Sequence, residues 1–366
     1  METESRTLVH RGTTTRHLPH LPAGIEHLLD ASYSEIVRNL IQAPYVDQLL
    51  AGSPGLHAHL WTRTADIMHQ AYMEHDVHAL TEFHRALFSL YEMHVASPTA
   101  AGIENQFSVH LNAIRSHLEQ EWLRAERVRI GALPNAHDAD GLILAIKQMW
   151  LDHPASRHRL FDLLQAQASL NQLRAFFQSD AALNIRFFDL IVMALIGSEP
   201  EARTELASNF WDEAGRGNPT RSHVALFRHL LDAADIGQAP DDHASTLTWQ
   251  GLRGYNLFMY CAINRQHYFR SLGVMAITEL LDPGQYTKLV QGCRRLGLAD
   301  ADLAYYDEHI EVDIIHGDGW LEKVIRPIVN RTPAAIPEIL EGCALRLASC
   351  GDYYDDLARR LGLDSG

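Results

Sequence analysis

The chain has 366 residues, of which 46% are hydrophobic and 21% charged, enough apolar material for one large or two modest globular domains. Its formal net charge of -15, without any basic cluster, argues against nucleic acid and anionic membranes as partners. No apolar run reaches the length of a membrane span. Four cysteines without CxxC spacing are typical of reduced thiols in a cytoplasmic protein: Cys261, Cys293, Cys343 and Cys350.

The first 134 residues divide into a polar tail and a helical region. Residues 1–23 carry charges, threonines and histidines, and we expect them to form a flexible tail. Residues 24–134 show apolar positions at helical spacing over 34–41, 77–90 and 103–128. In the third segment the predicted buried face includes Phe107, Leu111 and Trp122. Turn residues follow Leu133, so we place a domain boundary there and a second domain over residues 135–366.

Residues 135–366 also have helical periodicity, and alternating strand patterns are missing. We therefore predict an all-α protein whose helices build a bundle. The segment 184–196 is apolar enough to be buried. A long apolar helix is predicted from Gly254 to Leu281, ending before Pro283 because proline disfavours a helical conformation at the preceding residue. Further helices are predicted over 199–213, 303–329 and 334–361.

Three polar residues of the 303–329 helix fall on one stripe. At 100° per residue, His309, Asp313 and His316 lie within about 60° of one another. Two imidazoles and a carboxylate on a rigid element are a set of metal ligands. The alternative is a polar helix face in a chain that is rich in histidine.

Three residues upstream can complete a metal site. Glu213 ends one predicted helix, His223 lies in the first turns of the next, and Glu279 lies on a strongly apolar helix. A carboxylate on such a face must be paired, protonated or bound to a cation, because burying it alone is too costly. Three carboxylates and three imidazoles from several helices indicate a dinuclear iron or manganese site, and the absence of thiolates argues against structural zinc.

Other polar residues have weaker functional interpretations. His75, His78 and Glu82 could share a helix face, but we interpret them as a solvated surface. His267 is a candidate for the substrate pocket, because it is placed on the predicted Glu279 helix. Candidates to orient the ligand histidines are Asp307, Glu308, Glu311 and Asp318.

These motifs resemble the haem-oxygenase-like diiron oxidase/oxygenase family over about residues 140–330. The resemblance rests on Trp211-Asp212-Glu213 with Gly215-x-Gly217 and His223, on the segment from Gly273 to Glu279, and on His309-x-x-x-Asp313-x-x-His316 with Trp320. It implies a haem-oxygenase-like helical bundle with an additional N-terminal helical domain. It further implies two Fe(II) ions on those six positions, with no catalytic residue beyond the metal ligands.

The family's chemistry gives further expectations. Its members use O2 without haem to N-oxygenate amino-acid-derived amines, or to desaturate or cleave amino and fatty acids. The resemblance implies an oxygenase that acts on a small amine in a natural-product pathway. It is also compatible with an external electron donor as a partner. It also implies a homodimer formed through the N-terminal helices. The alternative from another functional class is a helical binding protein without catalytic activity.

One position departs from the N-oxygenase pattern. Several N-oxygenating members supply a further carboxylate from the helix before Glu213, where this chain has Phe187. Asp189 is the nearest substitute as an extra ligand, or else an ion-pair partner of Arg186. This departure keeps oxidative desaturation or C–C cleavage open. Phe187, Arg186 and Arg265 are candidate substrate-binding residues, although both arginines also suit structural ion pairs.

Overall fold

A computed structural model describes Leu28 and residues 30–237 and 244–363, so the tail predicted over residues 1–23 lies outside the described residues. Within these ranges the chain is helical and has no β-strand, which confirms the predicted all-α class. The helices are α1 Tyr33–Gln42, α2 Val46–Gly52, α3 Pro54–Tyr72, α4 Val77–Glu92, α5 Val109–Ile130, α6 Ala139–Asp152, α7 Arg159–Ala166, α8 Leu170–Asn184, α9 Phe187–Leu195, α10 Pro200–Glu213, α11 His223–Ala233, α12 Trp249–Ile263, α13 Tyr268–Arg295, α14 Ala304–Gly319, α15 Arg326–Arg331 and α16 Ile336–Arg360. A π-helical segment, Trp320–Ile325, joins α14 to α15.

Helix α13 is the central element of the second half. It packs along α14 on one side and α16 on another, and most of its residues are buried. Two glycines allow the close approach of α13 and α16. A Cβ on Gly273 would overlap the carbonyl of Ile339, and a Cβ on Gly342 would overlap the carbonyl of Arg270. These two glycines therefore set how closely the helices pack.

The single helix predicted over 254–281 is wrong, because the structure has two helices there, one of which continues past Leu281. Helix α12 stops at Ile263, where the amide of Asn264 donates to the carbonyl of Tyr260 at 2.9 Å and so caps the helix end. Helix α13 then begins at Tyr268 and continues through Pro283 to Arg295. An internal proline costs about 3 kcal/mol. Burial of Leu281, Tyr286 and other neighbours against adjacent helices outweighs that cost.

The N-terminal helices pack on one another and on the second half. Helix α4 contacts α1, α3 and α5, and it also packs against α12. A non-helical segment over residues 131–138 follows α5, but one continuous hydrophobic cluster includes residues from both sides of it. The division into two domains stays a prediction.

The start of α5 differs from the predicted 103–128 helix. Ser108 caps α5 by accepting the amide of Leu111 at 3.2 Å, so the helix begins only at Val109. Phe107 therefore precedes the helix and is 79% exposed instead of lying on its buried face, whereas Leu111 and Trp122 are buried as predicted. Among the described residues we find no helix that combines the length and the apolar character required to cross a bilayer.

The close approach of α13 and α16 can be tested by substituting two glycines of the same helix. Gly273→Ala should destabilise the protein by about 2 kcal/mol or more, because the new methyl group must displace the α16 backbone. Gly284→Ala is the matched control, because nothing lies within 4 Å of its Cβ position, and it should raise stability by up to about 1 kcal/mol. Urea denaturation measures both, and equal effects would contradict the packing described.

Candidate metal centre

The six residues predicted as metal ligands lie in two buried groups of three. The first triad is Glu213, His223 and His309, and the second triad is Glu279, Asp313 and His316. Within each triad the candidate ligand atoms lie within 4.8 Å of one another. All six side chains are 5% exposed or less. The structure thus brings together every residue of the predicted set.

A tight turn brings Glu213 and His223 together. Helix α10 ends at Glu213 and α11 begins at His223, with Gly215 at φ 71° between them. A Cβ on Gly215 would overlap the amide of Ser222, so only glycine allows the chain to fold back this closely. The turn places Nδ1 of His223 2.9 Å from Oε1 of Glu213.

Helix α14 contributes to both triads. His309 Nε2 lies 4.0 Å from Glu213 Oε1 in the first triad. Near the other end of the helix, His316 Nδ1 lies 3.6 Å from Glu279 Oε2 and 4.0 Å from Asp313 Oδ1. The stripe derived from helical periodicity is therefore present, and its two ends face different partners on α10, α11 and α13.

The outward nitrogens of two of the three triad histidines make a hydrogen bond, and the third lies near a carboxylate. His309 Nδ1 donates to the Tyr305 carbonyl at 2.7 Å, and His316 Nε2 donates to Asp212 Oδ2 at 3.0 Å. His223 Nε2 lies 3.9 Å from Glu308. The inward nitrogens then face the carboxylates of the triads, which is how histidines are oriented in metal sites.

Of the four residues predicted to orient the histidines, only Glu308 lies beside one. Asp307 pairs with Arg294 at 2.9 Å, Asp318 lies 3.8 Å from Lys147, and Glu311 is exposed. Asp212 was missed, although it directly precedes Glu213 in the sequence. Arg216 Nε holds it with a hydrogen bond of 2.6 Å.

The arrangement fits metal ions better than it fits internal hydrogen bonds. His223 Nδ1 is buried and makes no hydrogen bond within the described residues, although Glu213 is at contact distance. An imidazole nitrogen and a carboxylate oxygen that converge without a hydrogen bond suit a shared cation. Imidazole and carboxylate donors without thiolate are ligands that iron accepts.

Burial contributes to the pKa shifts of His309, Asp313 and His316. Burial, reinforced by His223, lowers the pKa of His309 well below its ordinary value, so its imidazole is neutral and able to bind metal. Burial together with the carboxylates of Glu279 and Asp282 raises the pKa of Asp313 well above its usual range. For His316, burial lowers the pKa, but Glu279 and Asp212 outweigh it and raise the pKa to about 9. The raised pKa values of Asp313 and His316 favour protons on the second triad when no cation is bound.

Asp189, the tentative extra ligand, lies outside both triads. It follows Phe187 by two residues on α9, about 200° around the helix, and Phe187 is the residue that lines the cavity beside the triads. Asp189 instead lies 3.7 Å from Arg186, which donates to Glu92 at 2.8 Å. The structure therefore corrects the extra-ligand prediction for Asp189 and gives Arg186 a structural ion pair.

Two further substrate-binding candidates lie away from the triads. Arg265 donates to the carbonyls of Ile196 and Gly197 at 2.8 and 2.7 Å. His267 stacks on Tyr260 and accepts from Arg270 at 2.6 Å, in a short turn ahead of α13 and not on it. Neither residue lines the cavity beside the triads, which argues against a role in substrate binding.

The histidine cluster near residue 75 is a surface feature with one exception. His75 and His78 are exposed, as expected for a solvated face. Glu82 is only 5% exposed and accepts the amide of Ser34 at 2.9 Å. Its interpretation as solvated is therefore wrong, because its carboxylate supplies a hydrogen bond at the start of α1.

Asp180 and Asp282 are two carboxylates near the triads that were missed in the sequence. They line a cavity that is partly open to solvent, together with Glu279, His309 and Asp313. Burial raises the pKa of Asp180 to about 6, against hydrogen bonds from Asn184 and Tyr306. Burial also raises the pKa of Asp282, with Arg346 opposing and Glu279 reinforcing the shift. Asp282 was overlooked because the helix was predicted to end there.

Comparisons with known proteins agree with this site. Residues 174–350 match the family described as iron-containing redox enzymes. This matched part of the chain holds both triads, and its helical architecture agrees with the predicted haem-oxygenase-like bundle.

The chain is also similar to the nitrosourea synthase of Streptomyces achromogenes subsp. streptozoticus. The two are 31% identical over 161 residues, which cover 40% of this chain and 32% of that enzyme. The chain thus spans about a third of the length of this relative.

The buried carboxylate of Asp180 should lower the stability of the metal-free protein at neutral pH. Its pKa is 3.8 ordinarily and about 6 in the fold, so the folded state holds the proton more tightly. The stabilisation from that proton is complete below about pH 4 and is lost as the pH rises through 6. Asp180→Asn should therefore stabilise the protein at pH 7.5, by up to about 3 kcal/mol, and by much less near pH 4.5.

Chemical denaturation of the metal-free variant and wild type at both pH values measures this difference. Asp162→Asn is the control, because Asp162 is 53% exposed and pairs only with Lys288 at the surface. The prediction would be contradicted by an Asp180→Asn variant that is less stable than wild type by the same amount at both pH values. Such a result would show that the ionised carboxylate does not destabilise the fold.

Proposed function

We propose that the chain is a non-haem diiron oxygenase that uses O2 to oxidise a small amine. Glu213, His223 and His309 would hold one Fe(II), and Glu279, Asp313 and His316 the other. The observation that carries the proposal is the pair of buried triads, both served by α14, in which the inner nitrogens of His223 and His309 face the carboxylate of Glu213. The match to iron-containing redox enzymes supports iron as the metal.

The protein's own groups would fix and insulate the ions. When bound, two Fe(II) ions can together supply two electrons to O2. Asp212 and the Tyr305 carbonyl hold His316 and His309 in the tautomers that present their inner nitrogens. Trp320 is fully buried, and its indole N–H donates a hydrogen bond to Asn209 at 2.9 Å. This bond anchors the end of α14 to α10. These contacts exclude water and keep ligand geometry fixed.

N-oxygenation of an amine is the reaction that the comparisons support best. The similar Streptomyces enzyme is named for making a nitrosourea, a product that contains an oxidised nitrogen. Phe187 supports a second candidate, oxidative desaturation or C–C cleavage. It lines the cavity at the position where a further carboxylate was expected. The proposed metal site therefore has one acidic ligand fewer than the sites of those N-oxygenating family members that supply this carboxylate.

Several partners belong to the same proposal. The cavity suits a small-molecule substrate in its lining, which combines aromatic side chains with a few charged groups. An external electron donor would return the irons to the ferrous state after each turnover. We further propose a homodimer formed through the N-terminal helices, and a cytoplasmic location.

Turnover under isotopically labelled O2 tests the proposed reaction. Fe(II)-loaded protein would be given a panel of amino acids with basic side chains, and products analysed by mass spectrometry. A product that gains one labelled oxygen atom indicates N-oxygenation, whereas loss of two hydrogens or a fragment indicates the second candidate. Asp313→Ala and His316→Ala should each lower turnover at least 100-fold, because each removes a metal ligand.

His78→Ala is the control for these variants, because His78 is exposed and belongs to neither triad. It should leave turnover unchanged. Wild-type activity in Asp313→Ala would contradict the assignment of the site. Iron-loaded protein that consumes no O2 with any amine of the panel would instead favour a silent binding protein.

A further inference from the structure

A second cavity, separate from the one beside the triads, lies between α9, α12 and α13. Its volume is about 320 Å³, and it is partly open to solvent. Most of its lining is apolar, and none of the six triad residues belongs to that lining. The space is ample for small molecules, since an apolar cavity of about 150 Å³ already binds benzene or xenon.

The two cavities follow one another along the same three helices. On α9, Phe187 lines the first cavity, beside the triads, and residues one to two turns later line the second. On α12 the order is Tyr255 and then Phe258. On α13 it is Thr278 and then Met275. Each step is about one helical turn, so a single layer of side chains separates the cavities.

Phe187 and Phe258 form the wall between the cavities. Their rings pack edge to face with centroids 6.2 Å apart, and each ring lines one of the two cavities. The Arg346 guanidinium lies 4.7 Å from the centre of the Phe258 ring and holds that ring in place. Phe187 is only half-buried and is the first residue of α9, so its ring is freer to move. Displacement of the Phe187 ring would therefore open the wall.

The polarity of the second cavity changes along its length. At the outer end, His94 Nε2 and Tyr268 Oη are buried and have no hydrogen-bond partner within the described residues, so both suit water. Deeper along α13, the Ser271 hydroxyl donates to the Tyr268 carbonyl at 2.6 Å. Val274 and Met275 line the inner end. Because buried water needs about two to four polar partners, the inner end favours a neutral apolar molecule.

We propose that the second cavity collects O2 and delivers it past Phe187 to the metal centre. O2 is small, neutral and apolar, so it partitions from water into such a cavity. The first cavity is lined by Glu279, His309 and Asp313, so a molecule that passes Phe187 arrives beside both triads. Because the first cavity must also hold the substrate, a separate path lets O2 reach the triads while substrate is bound. This inference rests on the proposed function, in which O2 is the oxidant.

The charge of the second cavity argues against its use by an amine. Arg265 is exposed and lines the mouth with a positive charge. The described residues that line the inner end are apolar and supply no carboxylate. A protonated amine would lose its hydration there without a counter-charge, which is costly.

Xenon binding tests the cavity without turnover. Crystals of the full-length chain would be exposed to xenon gas, which enters apolar cavities. We expect a xenon atom at the inner end of the second cavity, in contact with Phe258. In Ala194→Phe we expect none there, because the added ring fills the space. Wild-type crystals without xenon in this cavity would overturn the proposal.

Stopped-flow mixing of anaerobic Fe(II)-loaded protein with O2 tests delivery, in buffer alone and with the amino acids of the panel. The second-order rate constant for Fe(II) oxidation should rise at least about threefold in Phe187→Ala, which removes the ring from the wall. It should fall at least about threefold in Ala194→Phe, which fills the cavity. General damage to the fold would change both variants in the same direction, so opposite changes identify the route.

Each variant has a matched control. Phe188→Ala removes the neighbouring ring of α9, which packs on Phe210 with centroids 5.2 Å apart and lines neither cavity. Ala166→Phe adds a ring at the exposed end of α7. Both controls should react with O2 as wild type does. An equal rise in Phe188→Ala and Phe187→Ala would indicate a general loosening of α9 and overturn the role of Phe187.

Iron content is measured for every variant and should equal that of wild type, because none of the substituted residues belongs to a triad. Ala262→Phe fills the same cavity and takes the place of Ala194→Phe if that variant does not hold iron. The two proposals can fail separately. Xenon in the second cavity of a protein whose iron O2 does not oxidise would refute the proposed function, and with it the use of this cavity for O2. Oxidation at rates that neither Phe187→Ala nor the filling variant alters would refute the route alone.

Discussion

The burial of six ionisable side chains in two triads is the constraint on which the rest of the structure depends. Three carboxylates and three imidazoles, none more than 5% exposed, would be costly without compensating cations. Protons can compensate in part, as the raised pKa values of Asp313 and His316 indicate. Two Fe(II) ions would do so more completely. The helices that carry the ligands are long and well packed, because they must hold these groups in place whether or not metal is bound.

The positions of the six triad residues depend on neighbouring groups outside the triads. Gly215 allows the chain to reverse between Glu213 and His223, and Asp212 and the Tyr305 carbonyl orient two of the histidines. Gly273 and Gly342 bring α13 and α16 together, and in doing so they place Glu279 and Arg346 around one cavity. The triads and the cavity beside them are therefore consequences of the same helix packing.

The sequence was sufficient to predict six residues that the fold brings together and insufficient for their surroundings, for physical reasons. Helical periodicity alone predicts the stripe of His309, Asp313 and His316, because side-chain direction in a helix follows from residue spacing. Joining them to Glu213, His223 and Glu279 needed the cost of burying an unpaired carboxylate and the resemblance to known motifs. Asp282 was missed because the helix was predicted to end before the proline that follows it. Tertiary packing overrides this local preference of proline. Asp180 and Arg346 come from helices far apart in sequence, and no local pattern indicates that they share a cavity.

The Mössbauer spectrum of the protein, loaded anaerobically with isotopically enriched Fe(II), tests the central claim most directly. The first triad offers one carboxylate and two imidazoles, and the second offers two carboxylates and one imidazole. The account predicts two high-spin ferrous quadrupole doublets of equal area and different splitting, at two irons per chain. A single doublet at one iron per chain, or no protein-bound iron at all, would contradict it.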